Sequence, residues 1–137
     1  MLETLWKIIQ EENQLFESVA YALFEGDQNF ITAIELRFTS LVFNVRAVAD
    51  DDTLSINLGS LQLDSDESLF EPEKSELWSS CIGSHIVWGW RLTNQQGYDD
   101  GLRLEFSTVE NKIGPIVEFV VAASAIYIYS SAHSDPT

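Results

Sequence analysis

The sequence predicts a single α+β domain built mainly from antiparallel β-sheet. Three observations lead to this prediction: a helical apolar pattern at the N-terminus, a series of alternating apolar segments separated by short turn-forming stretches, and an apolar content of 45% over 137 residues. Strands that follow one another through short links pair antiparallel, and helices cover the apolar face of such a sheet. We therefore expect a sheet of six to eight strands, with an N-terminal helix and one short mid-chain helix packed on it.

The N-terminal residues form an amphipathic pattern. Leu5 and Ile9 recur at helical spacing with charged and amide side chains between them, which is typical of a helix that packs by one face. We expect this helix over residues 2–13. Apolar and polar residues then alternate, and this alternation predicts strands around residues 19–23 and over residues 30–38.

The middle of the chain combines a hairpin with a carboxylate-rich segment. Apolar residues alternate over residues 41–47 and again over residues 54–58, on either side of the acidic turn at residues 50–52. This pattern predicts a hairpin whose acidic tip is solvated. Residues 64–74 carry several carboxylates and few apolar side chains, so we expect an exposed loop that leads to a short helix near residues 75–82.

The clearest strand pair is predicted between residues 85–93 and residues 102–108. Trp88 and Trp90 alternate with smaller residues on the first of these strands, and apolar side chains alternate in the same way on the second. We interpret both tryptophans as core residues. The alternative is that their rings form a stacking platform for a sugar or a base.

The last part of the chain predicts two more strands and a tail. The strands are expected over residues 116–122 and 125–129, and residues 130–137 are expected to be a flexible tail. The length fits one domain over residues 1–137, and no internal repeat of fixed period is present.

The charge of the chain limits its partners. Seven Lys and Arg residues stand against 22 Asp and Glu residues, which gives a formal net charge of −15. Such a surface repels nucleic acid and anionic lipid, so we expect neither as a partner, and a basic protein is the complementary choice. One cysteine excludes an intrachain disulfide, and the N-terminus lacks the pattern of a secretory signal, so we expect a cytoplasmic location. The oligomeric state is left open.

No residue pattern specifies a reaction. Cys81 and His85 lie four residues apart, but no third orienting residue is identifiable, and we interpret Cys81 as a buried structural thiol. Residues 64–75 begin like a calcium-binding loop, yet Leu69 and Ser75 stand where such a loop needs Gly and Glu. The two histidines lie far apart, and no glycine-rich phosphate loop is present. We therefore predict no catalytic residue, no cofactor and no metal.

The most distinctive segment covers residues 90–106 and reads WRLTNQQGYDDGLRLEF. It resembles the central segment of a family of small uncharacterised bacterial proteins, some of which have the look of immunity or toxin-neutralising proteins. The resemblance implies no activity for individual residues. The connection at residues 94–101 is long for a hairpin and offers amides, a phenol and carboxylates, so it is either a binding element or a self-packed turn. Its candidate partner-binding residues are Asn94, Gln95, Gln96, Tyr98, Asp99 and Asp100.

Three functions are compatible with these observations. The first is a non-enzymatic interaction protein, such as an immunity or antitoxin-like protein, that uses its acidic surface to bind a basic protein. The second is a small-molecule-binding protein or an enzyme without a recognisable motif, with a pocket between the sheet and the helices. The third is an accessory subunit of a larger complex. A deep pocket with convergent polar groups favours the second, whereas a flat face with exposed aromatic residues favours the first or third.

Overall fold

The computed structural model describes residues 2–72, 76–107 and 113–131. In these segments the elements are, in chain order, α1 (Leu2–Glu12), β1 (Phe16–Phe24), β2 (Ile31–Phe38), β3 (Val42–Val48), β4 (Thr53–Leu58), β5 (Glu67–Phe70), α2 (Glu76–Ser79), β6 (His85–Thr93), β7 (Asp99–Ser107), β8 (Ile113–Ala122) and β9 (Ala125–Ser131). The predicted α+β class, with mainly antiparallel sheet, an N-terminal helix and a short mid-chain helix, is confirmed.

The strands of the described segments form two antiparallel sheets. The first sheet has the order β4-β3-β2-β1-β5 and the second has the order β6-β7-β8-β9. The count of nine and the division into two sheets go beyond the expected single sheet of six to eight strands. The two sheets pack face to face and bury apolar side chains between them: β4 packs on β7 and β8, and β9 packs on β2 and β3.

The core lies between the two sheets and is rich in aromatic side chains. The ring of Phe16 from β1 lies 5.6 Å from the ring of Trp78 in α2 and 5.6 Å from the ring of Phe106 in β7. All three side chains are buried. This cluster therefore joins the first sheet, the short helix and the second sheet in one apolar interior.

The helix α1 and the start of β1 close one end of the interior. Leu5 and Ile9 on the predicted apolar face of α1 are buried in the core, and the helix contacts β6. The backbone of Phe16 links β1 to the segment just before β6, because its amide donates to the carbonyl of Ser84 at 2.7 Å and its carbonyl accepts from the amide of Gly83 at 2.8 Å.

Two segments differ from their predictions. Residues 64–74, expected to be an exposed loop, contain β5, which pairs with β1 and adds an edge to the first sheet. In the expected tail, residues 130 and 131 belong to β9, while residues 132–137 lie outside the described residues. Within the described part of the chain, no helix is both long and apolar enough to cross a lipid bilayer.

Candidate functional site

The outer face of the second sheet carries large aromatic side chains. Trp88 is 62% exposed and Trp90 is 42% exposed, so the prediction that both tryptophans belong to the core was wrong. The prediction for the partner strand was correct: the alternating apolar residues of β7, namely Leu102, Leu104 and Phe106, are fully buried. The error therefore concerns the orientation of β6 alone.

A β-bulge explains the orientation of β6. Ile86 lies opposite Phe106 in the ladder, but Trp88 lies opposite Glu105, so Val87 is an extra residue on this strand. Side chains in a strand point alternately to opposite faces of the sheet. One extra residue therefore makes each later residue of the strand point to the face opposite to the one that the alternation predicts. Ile86 consequently points to the core and Trp88 points outward.

After the bulge, Gly89 takes the inward position that a tryptophan was expected to fill. The indole of Trp6, from α1, packs directly on this glycine, and a Cβ atom placed there would lie 2.0 Å from the Cη2 atom of Trp6. The helix thus supplies the aromatic ring that covers β6 from inside. The two tryptophans of β6 remain on the outside, and a shallow groove of about 210 Å³ lies between α1 and the bulge.

One row of side chains crosses the whole outer face. The ladder places Trp90 of β6, Arg103 of β7, Glu118 of β8 and Tyr129 of β9 side by side. The guanidinium carbon of Arg103 lies 5.1 Å from the ring centroid of Trp90, a cation–π contact. The Nε atom of Arg103 lies 3.6 Å from a carboxylate oxygen of Glu118. Tyr129 ends the row and is 56% exposed.

A second row lies beside the first. It contains Trp88 of β6, Glu105 of β7 and Ile116 of β8, and the rings of Trp88 and Trp90 are 6.5 Å apart. We call the two rows together the outer face; its members are Trp88, Trp90, Arg103, Glu105, Ile116, Glu118 and Tyr129. The surface is that of an antiparallel sheet with aromatic, ionic and aliphatic side chains, and it can bind a complementary surface by stacking and ion pairing.

The tip of the β3–β4 hairpin contacts the turn at one end of the second sheet. The backbone amide of Ser124, in the turn between β8 and β9, donates to Asp52 at 2.9 Å. Gly101 pairs with Val120, which places Asp100 beside the same turn. Asp52 at the tip of the hairpin and Asp100 at the start of β7 therefore lie near the same turn, and Asp52 has a structural role that the prediction of a solvated tip did not include.

The loop between β6 and β7 is shorter than predicted, because residues 99–101 belong to β7. Its backbone is held by Asn94, whose side-chain oxygen accepts from the amides of Gln96 at 2.9 Å and Tyr98 at 3.2 Å. Asp99 accepts from Thr93 at 2.9 Å and lies 3.4 Å from Arg91.

The candidate residues of this loop thus divide into two groups. Gln95, Gln96 and Tyr98 present exposed side chains, whereas Asn94 and Asp99 are engaged within the hairpin and Asp100 is half-buried. The structure brings all six together, and partner binding by them stays a prediction.

A cleft opens at the edge of the two sheets. It has a volume of about 470 Å³ and is lined mainly by apolar side chains, among them Ile31, Leu77 and Ile128, with Asn29 at its margin. Tyr21 also lines it and accepts a hydrogen bond from the indole of Trp78. Burial raises the pKa of the Tyr21 phenol to about 12. The cleft is large enough for a small ligand but offers few converging polar groups.

The cysteine predicted to be structural is fully buried. Burial raises the pKa of the Cys81 thiol to about 11, and its sulfur lies 3.5 Å from the carbonyl oxygen of Leu77. A thiol with a raised pKa is a poor nucleophile at neutral pH. Among residues 2–72, 76–107 and 113–131, no group of three or more His, Cys, Asp or Glu side chains is arranged to hold a metal ion.

The segment that resembles the start of a calcium loop forms an internal ion pair instead. Glu67 accepts from the guanidinium of Arg46 at 2.8 Å and 3.0 Å, from the backbone amide of Asp64 at 2.7 Å and from the hydroxyl of Thr32. Its side chain is 3% exposed. Burial alone raises the pKa of this carboxyl, but these four hydrogen bonds outweigh burial and lower it to about 2. The arrangement anchors β5 to β2 and β3.

Sequence reasoning missed the outer face, although one signal pointed to it. Gly89 stands between the two tryptophans, and a glycine inside a strand pattern indicates a bulge or a close approach of another group. Both occur here. The pairing of Trp90 with Arg103 and of Trp88 with Glu105 left no signal in the sequence, because it depends on a register that only the folded hairpin defines.

Fold and surface together define a class: a two-sheet antiparallel α+β domain with an exposed aromatic and ionic sheet face. The chain belongs to a family of uncharacterised proteins, because the family model described as "Family of unknown function (DUF6334)" matches residues 4–134. The expectation of a family of uncharacterised proteins is thus confirmed, and the match covers nearly the whole chain. Comparison with curated proteins and with solved structures gave no significant match.

Proposed function

We propose that this protein is a non-enzymatic interaction protein that binds a basic protein partner through its outer face. The observation that carries the proposal is the exposure of Trp88, Trp90 and Tyr129 on one sheet face. Exposed aromatic side chains are enriched at protein interfaces, where they bury a large area at low cost in conformational entropy. On a sheet face that is exposed to solvent, aromatic rings of this size are not required for the stability of the fold.

The distribution of charge supports a basic partner. The chain has four arginines, Arg37, Arg46, Arg91 and Arg103, and each lies within 3.6 Å of a carboxylate oxygen of its own chain. The arginines are therefore already neutralised internally, while the net charge of −15 leaves many carboxylates without a counter-charge. Complementary charge of this kind mainly speeds association and selects the partner.

An immunity or antitoxin-like role in the bacterial cytoplasm is the form of this proposal that the segment at residues 90–106 suggests. A small acidic protein with a flat binding face is suited to cover the basic surface of another protein. An accessory subunit of a larger complex would use the same face, and the identity of the bound partner separates the two roles.

The test compares partner capture by matched variants of the tagged protein. The double variant Trp88→Ala, Tyr129→Ala removes two exposed rings of the outer face, and Leu69→Ala removes an exposed apolar side chain of β5 in the other sheet. We expect the wild type and the Leu69 variant to retain one basic protein that the double variant loses, with an association rate that falls as salt rises. Retention of that protein by a folded double variant would show that the outer face is not the interface.

The same assay tests the loop between β6 and β7. Asp99→Asn with Asp100→Asn is expected to slow association, and Tyr98→Ala is expected to speed dissociation if the loop extends the interface. Tyr98 is 48% exposed. Unchanged binding together with lowered stability would assign the loop to the hairpin alone.

The cleft supports a second candidate function, the binding of a small apolar molecule. Its volume of about 470 Å³ lies in the range of ligand sites, and Tyr21 and Asn29 supply polar groups. Native mass spectrometry of the purified protein is expected to show a bound molecule that Ile128→Trp, which fills the cleft, displaces. An unliganded mass in the wild type together with an unchanged melting temperature across a panel of apolar ligands would contradict this function.

A further inference from the structure

We propose that Trp88 and Glu105 form a subsite of the outer face that takes an arginine side chain of the partner. This inference rests on the proposed function and specifies what the partner presents. The occupant is a guanidinium group on a basic protein, stacked on the indole and paired with the carboxylate.

The outer face already contains one arginine that lies over a tryptophan ring and next to a glutamate. Arg103 lies over the ring of Trp90, with 5.1 Å between its guanidinium carbon and the ring centroid, and its Nε atom is 3.6 Å from Glu118. A tryptophan, an arginine and a glutamate from three neighbouring strands thus form one unit. Stacking on an indole and pairing with a carboxylate are compatible because the guanidinium is planar, with its donors at the edge.

The neighbouring row also contains a tryptophan and a glutamate, but here they lie directly opposite each other on β6 and β7, because Glu105 takes the position that Arg103 has in the first row. Trp88 lies opposite Glu105 in the same ladder, two residues along each strand from Trp90 and Arg103. Trp88 is the most exposed aromatic residue of this face. In the described part of the chain, no Lys or Arg nitrogen lies within 4.0 Å of the Glu105 carboxylate. An arginine from outside would complete the second unit.

The chemistry of the pair favours a guanidinium over other groups. The Glu105 carboxylate repels anions, and the negative face of the indole attracts cations. A lysine ammonium is strongly hydrated and has no plane to stack on the ring, whereas a guanidinium is more weakly hydrated and presents a flat surface. The net charge of −15 raises the local concentration of cationic segments around this face.

The test uses a capped tetra-arginine peptide and a capped tetra-lysine peptide of equal charge, titrated into isotopically labelled protein at low salt. We expect the arginine peptide to shift the indole resonance of Trp88 and the backbone amide of Glu105, and to bind more tightly than the lysine peptide. Trp88→Ala and Glu105→Gln are each expected to raise the dissociation constant for tetra-arginine about threefold, as for exposed interactions of these two kinds.

The matched control is Glu17→Gln. It removes the same charge from an exposed position on β1, in the other sheet, and is expected to leave the dissociation constant within about 1.5-fold of the wild type, since a single distant charge is screened. Melting curves of the three variants establish that each is folded; Trp88 and Glu105 point away from the core, so their replacement is not expected to unfold the protein.

Three outcomes would overturn the subsite: shifts confined to the acidic residues 50–52, equal affinity for the two peptides, or equal effects of Glu105→Gln and Glu17→Gln. The proposed function fails by a separate result, namely retention of the basic partner by the double variant Trp88→Ala, Tyr129→Ala. The two results can also differ. If the peptide test fails but partner capture still depends on the outer face, the face binds its partner without an arginine at Trp88.

Discussion

Replacing Glu67 with glutamine is expected to destabilise the protein in a pH-dependent manner. The buried carboxylate accepts four hydrogen bonds, two of them from Arg46, and the substitution removes the charge with little change in shape. It leaves Arg46 next to a neutral amide. The variant therefore isolates the ionic part of the contact that holds β5 to the first sheet.

The magnitude follows from the pKa of the carboxyl. A decrease from the ordinary value of 4.5 to about 2 corresponds to about 3 kcal/mol of stability at neutral pH. The side chain of Arg46 is 26% exposed, and solvent screening of this partner reduces the expected loss to about 2 kcal/mol. The control Glu17→Gln, on the surface of β1, is expected to change the free energy of unfolding by less than about 0.5 kcal/mol.

The sign of the pH dependence follows from the lowered pKa. Because Glu67 binds its proton less readily in the folded protein than in the unfolded chain, its contribution is fully present above about pH 4.5. It is lost as the pH falls from about 4.5 through about 2. The stability gap between the wild type and Glu67→Gln should therefore narrow over this range, while Arg46 stays charged.

The assay is urea denaturation followed by tryptophan fluorescence at pH 7, 4 and 3. The relevant quantity is the difference in unfolding free energy between the wild type and Glu67→Gln at each pH. Taking this difference cancels the contributions that the two proteins share. A gap that is absent at pH 7, or that stays constant down to pH 3, would refute the assignment of Glu67 as a stabilising ionised group.

Three further predictions follow from the interior and the bulge. Trp78→Ala should lower the unfolding free energy by about 3 to 5 kcal/mol, whereas Trp88→Ala should lower it by less than about 1 kcal/mol, because only Trp78 is buried. Equal losses of unfolding free energy in denaturant titrations would contradict this prediction. Gly89→Ala should cost about 1 to 3 kcal/mol, and less in a Trp6→Ala background, since its Cβ displaces that ring; identical costs in the two backgrounds would argue against the contact. Cys81 should react with a disulfide reagent at pH 8 far more slowly in the native protein than in denaturant, and rapid native labelling would show that the thiol is accessible.

The sequence determined the features that depend on neighbouring residues and on composition. Alternation over residues 30–38, 41–47 and 54–58 predicted β2, β3 and β4, and the spacing of Leu5 and Ile9 predicted α1 and its buried face. These patterns are reliable because a strand or helix must present one apolar side to the core, whatever lies opposite. Residue counts likewise fixed the acidic character of the chain.

The composition of residues 64–74 was a weaker guide. Many carboxylates suggested an exposed loop, but β1 offers a free edge that β5 pairs with, and Arg46 neutralises Glu67 from β3. A charged side chain is buried when a distant counter-charge and hydrogen-bond donors meet it, and their positions are a property of the folded sheets. No local pattern reveals them.

The orientation of Trp88 and Trp90 was decided by tertiary structure alone. A strand has a period of two, so the single extra residue Val87 exchanged the faces and put both rings outside. Trp6 from the helix covers Gly89 on the inside. The sequence thus determined that this strand is aromatic and paired with β7, while the bulge, which depends on the register of the folded hairpin, decided that the aromatic residues form a surface and not a core.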